Sequence, residues 1–268
     1  MSTTLAEIVS ATRRRIIDAR RSADLRQLEK QAGEHTPRGF RRALAAKTAK
    51  DVAVIAELKK ASPSRGLIRA DFDPAKLAVD LESAGAAALS VLTDEPYFQG
   101  SLDNLQIASR ATKIPCLRKD FIVDEFQLLE ALAYRADAVL LIAAALSKQE
   151  LVGLAIDARD YGLDVLCEVH DEEELERALN AGFNMIGVNS RDLRTFEVDL
   201  DTAFRLAKKL PKDVVGVAES GIHSGADISR LRAAGYQAFL IGESLMKAES
   251  PGDALRWFLK EASPVAAN

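Results

Sequence analysis

Eight short runs rich in Val, Ile, Leu and Ala, each followed by a longer amphipathic stretch, predict an α/β fold. The architecture they suggest is a single (β/α)8 TIM barrel with an N-terminal helical extension. The runs begin 21 to 34 residues apart, a spacing that suits β/α units and is too wide for hairpins. They are nearly continuous in apolar residues, as parallel strands covered by helices are. Glycine recurs where helix should give way to strand, at Gly85, Gly162, Gly182 and Gly235. The 268 residues suit one barrel, which typically takes ~250. An open doubly wound sheet, the main competitor, often carries a glycine-rich loop after its first strand. No G-x-G-x-x-G and no Walker sequence is present.

Residues 1–50 fall outside the repeat and read as an extension packed on the barrel of residues 51–268, with two helices at Thr3–Ala23 and Arg38–Lys50. Five arginines crowd Thr12–Arg21. They suit either an anionic partner such as RNA or the solvated face of a capping helix. Ile16 and Ile17 in the same run call for burial, which favours the capping helix. The strand runs follow at Val52–Leu58, Ala86–Thr93, Ile114–Lys119, Ala136–Ala143, Leu163–Val169, Asn184–Asn189, Val214–Glu219 and Gln237–Gly242. Between them, Asp124–Tyr134 sets Phe126, Leu129 and Ala133 on one helical face. Ser147–Tyr161 opens with Ser147 and Glu150 in capping-box spacing and stops at Gly162. The one tryptophan, Trp257, is expected in the core of the last helix.

Composition narrows the functional classes. Apolar residues make up 48% and charged residues 28%, with a net charge of -4. These values oppose a disordered chain and a generally basic nucleic-acid binder. The longest clean apolar run, Ala138–Leu146, has nine residues, about half of a membrane-spanning helix. Leu5, Ile8 and Val9 are interrupted by Glu7 and followed by arginines, unlike a signal peptide. Two cysteines, Cys116 and Cys167, are too few for a disulfide framework. A cytoplasmic protein is expected.

In a TIM barrel the reacting groups sit at the C-terminal ends of the strands. The odd-numbered strands end in Glu57 and Lys59, Lys119, Glu168, and Glu219. Side chains alternate along a strand, so Glu57 and Lys59 share the face of Ala53 and Ile55. Alternate strands supply one interior layer, and several charges converging on one barrel mouth would be costly as mere structure. Strand six ends in Asn189 and Arg191, while strand four ends apolar, in Leu140–Ala144. Small residues follow strand seven at Ser220-Gly221 and strand eight at Gly242-Glu243-Ser244. Those loops form the common phosphate site of this fold, although tight turns also need glycine. His35, His170 and His223 lack metal-ligand spacing, so no metal is expected. His170, just after strand five, reads as a turn or supporting group.

Eight segments, in order and at the strand ends, resemble the indole-3-glycerol phosphate synthase family. They are IAELKKASPSRG from Ile55, SVLTDEPYFQG from Ser90, LRKDFI from Leu117 and VLLIA from Val139, then CEVH from Cys167, GVNSRDL from Gly187, AESGI from Ala218 and IGESLM from Ile241. The likeness spans nearly the whole chain. It implies a substrate, 1-(2-carboxyphenylamino)-1-deoxyribulose 5-phosphate, that is closed into a ring, decarboxylated and dehydrated without a cofactor.

By motif position, Lys119 resembles the family's general acid and Glu168 its base. Lys59 resembles a group that pairs with a substrate anion and acts in dehydration. Glu57 and Glu219 resemble electrostatic orienters. Asn189 and Arg191 resemble groups that bind the anthranilate part and its carboxylate. Ser62 heads a loop that would close over the site. Phe98, Phe121, Leu140 and Leu193 would wall the aromatic ring. Ser220, Gly221, Gly242 and Glu243 would hold phosphate through backbone N–H groups, for which the Glu243 carboxylate should point away. The resemblance implies a small-molecule substrate; no nucleic acid and no membrane are expected from the composition, and a monomer or weak homo-oligomer is expected. Two rival readings are another phosphate-binding barrel, such as phosphoribosylanthranilate isomerase, and a non-catalytic sugar-phosphate binder. The isomerase would favour a Cys and Asp pair at strand ends, whereas Cys116 lies inside its strand. The binder would not need Lys59, Lys119 and Glu168 together.

Overall fold

Alternation along each strand sorts the apolar residues into two cores, and this sorting closes the sheet. The computed structural model describes residues 4–49, 51–192, 195 and 197–262. The eight runs become β1 (Ala53–Leu58), β2 (Ala88–Leu92), β3 (Cys116–Lys119), β4 (Ala138–Ile142), β5 (Asp164–Val169), β6 (Met185–Asn189), β7 (Val215–Glu219) and β8 (Ala238–Ile241). Each pairs in parallel with the next, and β8 returns to β1. Ala53, Ile55, Leu117, Leu140, Leu166, Val217 and Leu240 fill the barrel interior. Val54, Ala56, Leu58, Val139, Leu141 and Phe239 face outward against the helices. Between Ala61–Ser62 and Gly66–Leu67 the chain forms a small antiparallel hairpin beyond β1.

The extension holds three helices where two are expected: α1 (Leu5–Ser22), α2 (Leu25–Gly33) and α3 (Phe40–Thr48). Extended backbone at Ala23 ends α1, and the Asp24 carboxylate accepts from the Gln27 N–H to start α2. That Asp N-cap was the available signal. Phe40 and Leu44 of α3 are fully buried within the interior core and close the N-terminal end of the barrel. α1 lies at the opposite end. There Arg15 reaches the buried Asp94 (3.3 Å) and Asp120 (4.0 Å), Arg13 reaches Glu150 (2.8 Å), and Arg20 reaches Asp124 (3.4 Å). The arginine run is therefore more than a solvated face, since three of its members are tied to the barrel's acidic rim.

Three expectations about packing are corrected. Ile16 is buried but Ile17 is 52% exposed, because neighbours on a helix point about 100° apart and only one can meet the barrel. Trp257 is 61% exposed, since the last helix, Pro251–Ala262, buries Leu255, Phe258 and Ala262 instead. In the helix Phe126–Ala133 the fully buried positions are Phe126, Gln127, Leu128, Ala131 and Ala133, with Leu129 at the edge. The capping box of Ser147 and Glu150 forms as the spacing suggests.

One buried carboxylate stitches the extension to the barrel floor. Asp137 accepts from the backbone N–H of Arg38 (2.7 Å) and of Cys116 (2.7 Å) and from Arg38 Nη2 (2.6 Å). His35 Nε2 lies 3.3 Å away. Burial opposes its ionisation, but the bonds from His35 and Arg38 prevail and hold Asp137 below the usual carboxylate range. Asp137→Ala is expected to cost about 3–5 kcal/mol in urea unfolding, because Arg38 is left partly buried without its partner. A depressed native pKa means that this contribution is present above the ordinary Asp value of 3.8 and fades as pH falls below it.

Candidate active site

The charged layer continues the interior faces of the odd strands. Glu57 follows Ala53 and Ile55, Lys119 follows Leu117, Glu168 follows Leu166, and Glu219 follows Val217, each two residues further on. Lys119 Nζ donates to Glu168 Oε2 at 2.9 Å and to Glu219 Oε2 at 2.8 Å. Lys59 Nζ donates to Glu57 Oε2 at 2.5 Å. These groups stand around a cavity of about 150 Å³ at the C-terminal mouth.

Burial disfavours the Lys119 ammonium, but Glu168, Glu219 and Glu57 outweigh it and hold the lysine above its ordinary value. Lys119 therefore stays protonated throughout the neutral range. The two carboxylates on it diverge. Burial, with Glu168 nearby, pushes Glu219 up to about 7 against the pull of Lys119. Glu168 is equally buried, yet Lys119 and His170 hold it well below the usual carboxylate range.

Two strand-end glycines make room for these carboxylates. A Cβ at Gly187 would collide with Glu219 Oε1, and one at Gly242 would collide with Glu57 Oε2. Gly242 was expected only at a phosphate, and Gly187 was not singled out. Its signal was a glycine on the interior face of β6, two residues before Asn189.

The rim opposite Lys119 is polar. Asn189 Oδ1 accepts from Ser220 Oγ (2.8 Å) and from the Arg191 N–H (3.0 Å). Ser220 holds a left-handed φ of 65°, a strained state that persists where the surroundings enforce it. Glu243 does not point away. Its carboxylate meets Lys247 (2.6 Å), Arg65 (3.2 Å) and Arg191 (3.5 Å). Burial opposes the Glu243 charge, but Lys247, Arg65 and Lys59 keep its pKa low. Gly221 is not among the lining residues; its Cα faces Val198 and Leu200. Ser62 lines the cavity on the hairpin, its Oγ shielded from solvent and with no hydrogen-bond partner among the described residues.

Phe98 and Phe121, with ring centroids 6.3 Å apart, join Leu140 in an apolar wall. Leu193 lies outside the described residues. Sequence reasoning missed Leu5 and Ile8, which α1 brings to the cavity, together with Leu92, Ile142 and Leu240. The apolar spacing Leu5, Ile8, Ile16 marked a buried face of α1 but not what it would cover. His170 was read as a supporting group, and it contacts Glu168 Oε1 at 3.3 Å. Among the described residues, no group of His, Cys, Asp and Glu is placed to hold a metal, and no helix is long and apolar enough to cross a membrane.

A closed parallel barrel with lysine–carboxylate pairs and an apolar slot at its C-terminal mouth is the arrangement in which (β/α)8 enzymes carry their active sites. Among solved structures, the fold is similar to 3-hexulose-6-phosphate synthase from Salmonella typhimurium (TM-score 0.63, 13% identity, covering 78% of this chain and 98% of that one). It is also similar to thiamine phosphate pyrophosphorylase from Pyrococcus furiosus (TM-score 0.58, 16% identity, 78% and 95%). At such identities the likeness is one of fold alone. The sequence is more specific. Residues 5–258 match the family described as indole-3-glycerol phosphate synthase. A relative of that name from Koribacter versatilis (strain Ellin345) is 60% identical over 256 residues, covering 96% of this chain and 98% of that protein. The chain belongs to the indole-3-glycerol phosphate synthase family, carboxy-lyases of tryptophan biosynthesis. This membership sets aside the isomerase and the non-catalytic binder.

Gly187→Ala tests whether the gap beside Glu219 matters. It is expected to displace that carboxylate and lower turnover about 10²-fold, the scale of a 1 Å misplacement, with an unchanged circular dichroism spectrum.

Proposed function

We propose that Lys119 is the general acid of ring closure on 1-(2-carboxyphenylamino)-1-deoxyribulose 5-phosphate, and that Glu168 is the base of rearomatisation. The observation that supports this most is the bridging of Lys119 Nζ between Glu168 and Glu219 at the end of the apolar slot. The aromatic ring of the substrate lies against Phe98, Phe121 and Leu140. Its ring carbon bonds to the ketone carbon while Lys119 gives a proton to the ketone oxygen. An alkoxide is a strong enough base to take that proton from a lysine held above its ordinary pKa. Loss of carbon dioxide follows, and the substrate carboxylate is oriented by Asn189 and Arg191. A cation that fits this carboxylate too well would stabilise the ground state, and Glu243 draws Arg191 partly away.

Dehydration then needs an acid at the departing hydroxyl and a base at the proton whose loss restores the aromatic system. Lys59, kept charged by Glu57, acts as the acid and also meets a substrate anion, and Glu168 acts as the base. Glu219 orients Lys119. Ser62 Oγ donates to the substrate. The backbone N–H groups of Ser220, Gly242 and Glu243 face the phosphate, helped by the cations now gathered on the Glu243 carboxylate. No cofactor is required, because the substrate's own carboxylate leaves with the bond that breaks.

Two substitutions check these roles with purified protein and a fluorescence assay for indole-3-glycerol phosphate. Lys119→Ala is expected to lower turnover roughly 10²–10⁴-fold while product still binds, because a general acid acts in the transition state. Normal turnover would remove the assignment. Glu168→Gln is expected to stall dehydration, so that a ring-closed, decarboxylated intermediate builds up in single-turnover experiments. A wild-type rate with no such species would count against it.

A further inference from the structure

Glu168 and Glu219 approach Lys119 Nζ alike, at 2.9 and 2.8 Å, and both are buried. Their second oxygens differ. Glu219 Oε1 has no hydrogen-bond partner among the described residues, whereas Glu168 Oε1 lies 3.3 Å from His170 Nε2. The imidazole is set from its other side. Glu174, in the helix Glu172–Asn180, accepts from the His170 backbone N–H (2.8 Å) and from Nδ1 (3.0 Å). A carboxylate only accepts, so Nδ1 donates and Nε2 is turned toward Glu168. The Nε2 approach is off the hydrogen-bond axis, and the contact is one between charges.

We infer that His170 is a positioning residue: pinned by Glu174, it places a second cation on Glu168 and so decides that, of the two carboxylates sharing Lys119, Glu168 stays ionised and Glu219 takes the proton. Two buried carboxylates on one ammonium titrate as a set, and a small asymmetry decides which protonates first. The charges facing this set are Lys119 from β3, Glu219 from β7, Glu57 with Lys59 from β1, and His170 with Glu174 behind it. Arg177, further along that helix, is engaged by the Leu146 carbonyl (2.7 Å). Burial disfavours a charge on His170, but Glu168 and Glu174 raise it to about 10, so it remains a cation across the neutral range. Sequence placed His170 near the active face. The Glu174 four residues on was the signal that its ring would be fixed.

As regards turnover, the inference rests on Glu168 being the base. As regards where the proton resides, it does not. Carboxyl carbon-13 titration of the full chain labelled at glutamate separates the two, with pH–rate profiles measured alongside. In the wild type one buried glutamate, assigned to Glu219 by its absence in Glu219→Gln, is expected to titrate near 7. In His170→Gln the Glu168 signal is expected to rise into the range where Glu219 titrates, near 7, so that at pH 6 only about a tenth of it is ionised and turnover there falls about tenfold. KM should change less than twofold, a split that general loosening of the site would not give.

Superimposable titrations in wild type and His170→Gln would overturn the inference. If that variant does not fold, Glu174→Gln decides: a smaller upward move of Glu168 supports the inference, and no move overturns it. A titration shift without a change in the rate profile keeps the inference and removes Glu168 as base. Loss of the Lys119 assignment would show separately, as turnover surviving in Lys119→Ala.

Discussion

A buried ammonium between two carboxylates is the constraint on which the rest of this molecule depends. Burial opposes the charge on Lys119, which Glu168 and Glu219 offset, and Lys119 in turn offsets the burial of both carboxylates. Their separations are set by strands that are not neighbours in sequence, so only a closed, correctly registered barrel assembles the set. The apolar layer beneath, with Ile55, Leu117, Leu166 and Val217, fixes the height at which the charges emerge. Gly187 and Gly242 supply the remaining space. Each of these features would be unremarked in isolation, and together they hold an ammonium and two carboxylates within one cavity.

The N-terminal extension serves both ends of that barrel. α3 fills the floor with Phe40 and Leu44, while α1 extends over the mouth with Leu5 and Ile8. The link between them is fastened to Asp137 at the start of β4. Arg15 meets Asp94 and Asp120 at the ends of β2 and just beyond β3, which puts a residue of the extension one position away from the backbone of Lys119. Extension and barrel thus share packing and ion pairs at both ends.

Much of this was legible in the sequence because β/α repetition leaves a periodic trace. Unbroken apolar runs located all eight strands, and the polar residue two positions beyond an interior apolar one located Glu57, Lys119, Glu168 and Glu219. Contacts made across the fold leave no such trace. Leu5 and Ile8 look like any buried helical face until the barrel mouth lies beneath them. Trp257 is apolar by type, but its place on the last helix is set by the Leu255–Phe258–Ala262 stripe. Glu243 follows a glycine at a presumed phosphate loop, and three cations from separate segments determine where its carboxylate points. His170 falls between these cases: its strand position was visible, whereas its two carboxylate neighbours depended on one turn of the chain.

The plugged floor has a consequence for traffic. With Phe40 and Leu44 sealing one end and side chains packing the interior, the described residues leave the mouth as the way in and out. Everything that enters or leaves, including the gas released midway through the reaction, shares that doorway with the intermediate still bound in it. Carbon dioxide is small and uncharged and can slip past a bound occupant. The water lost later leaves by the same route.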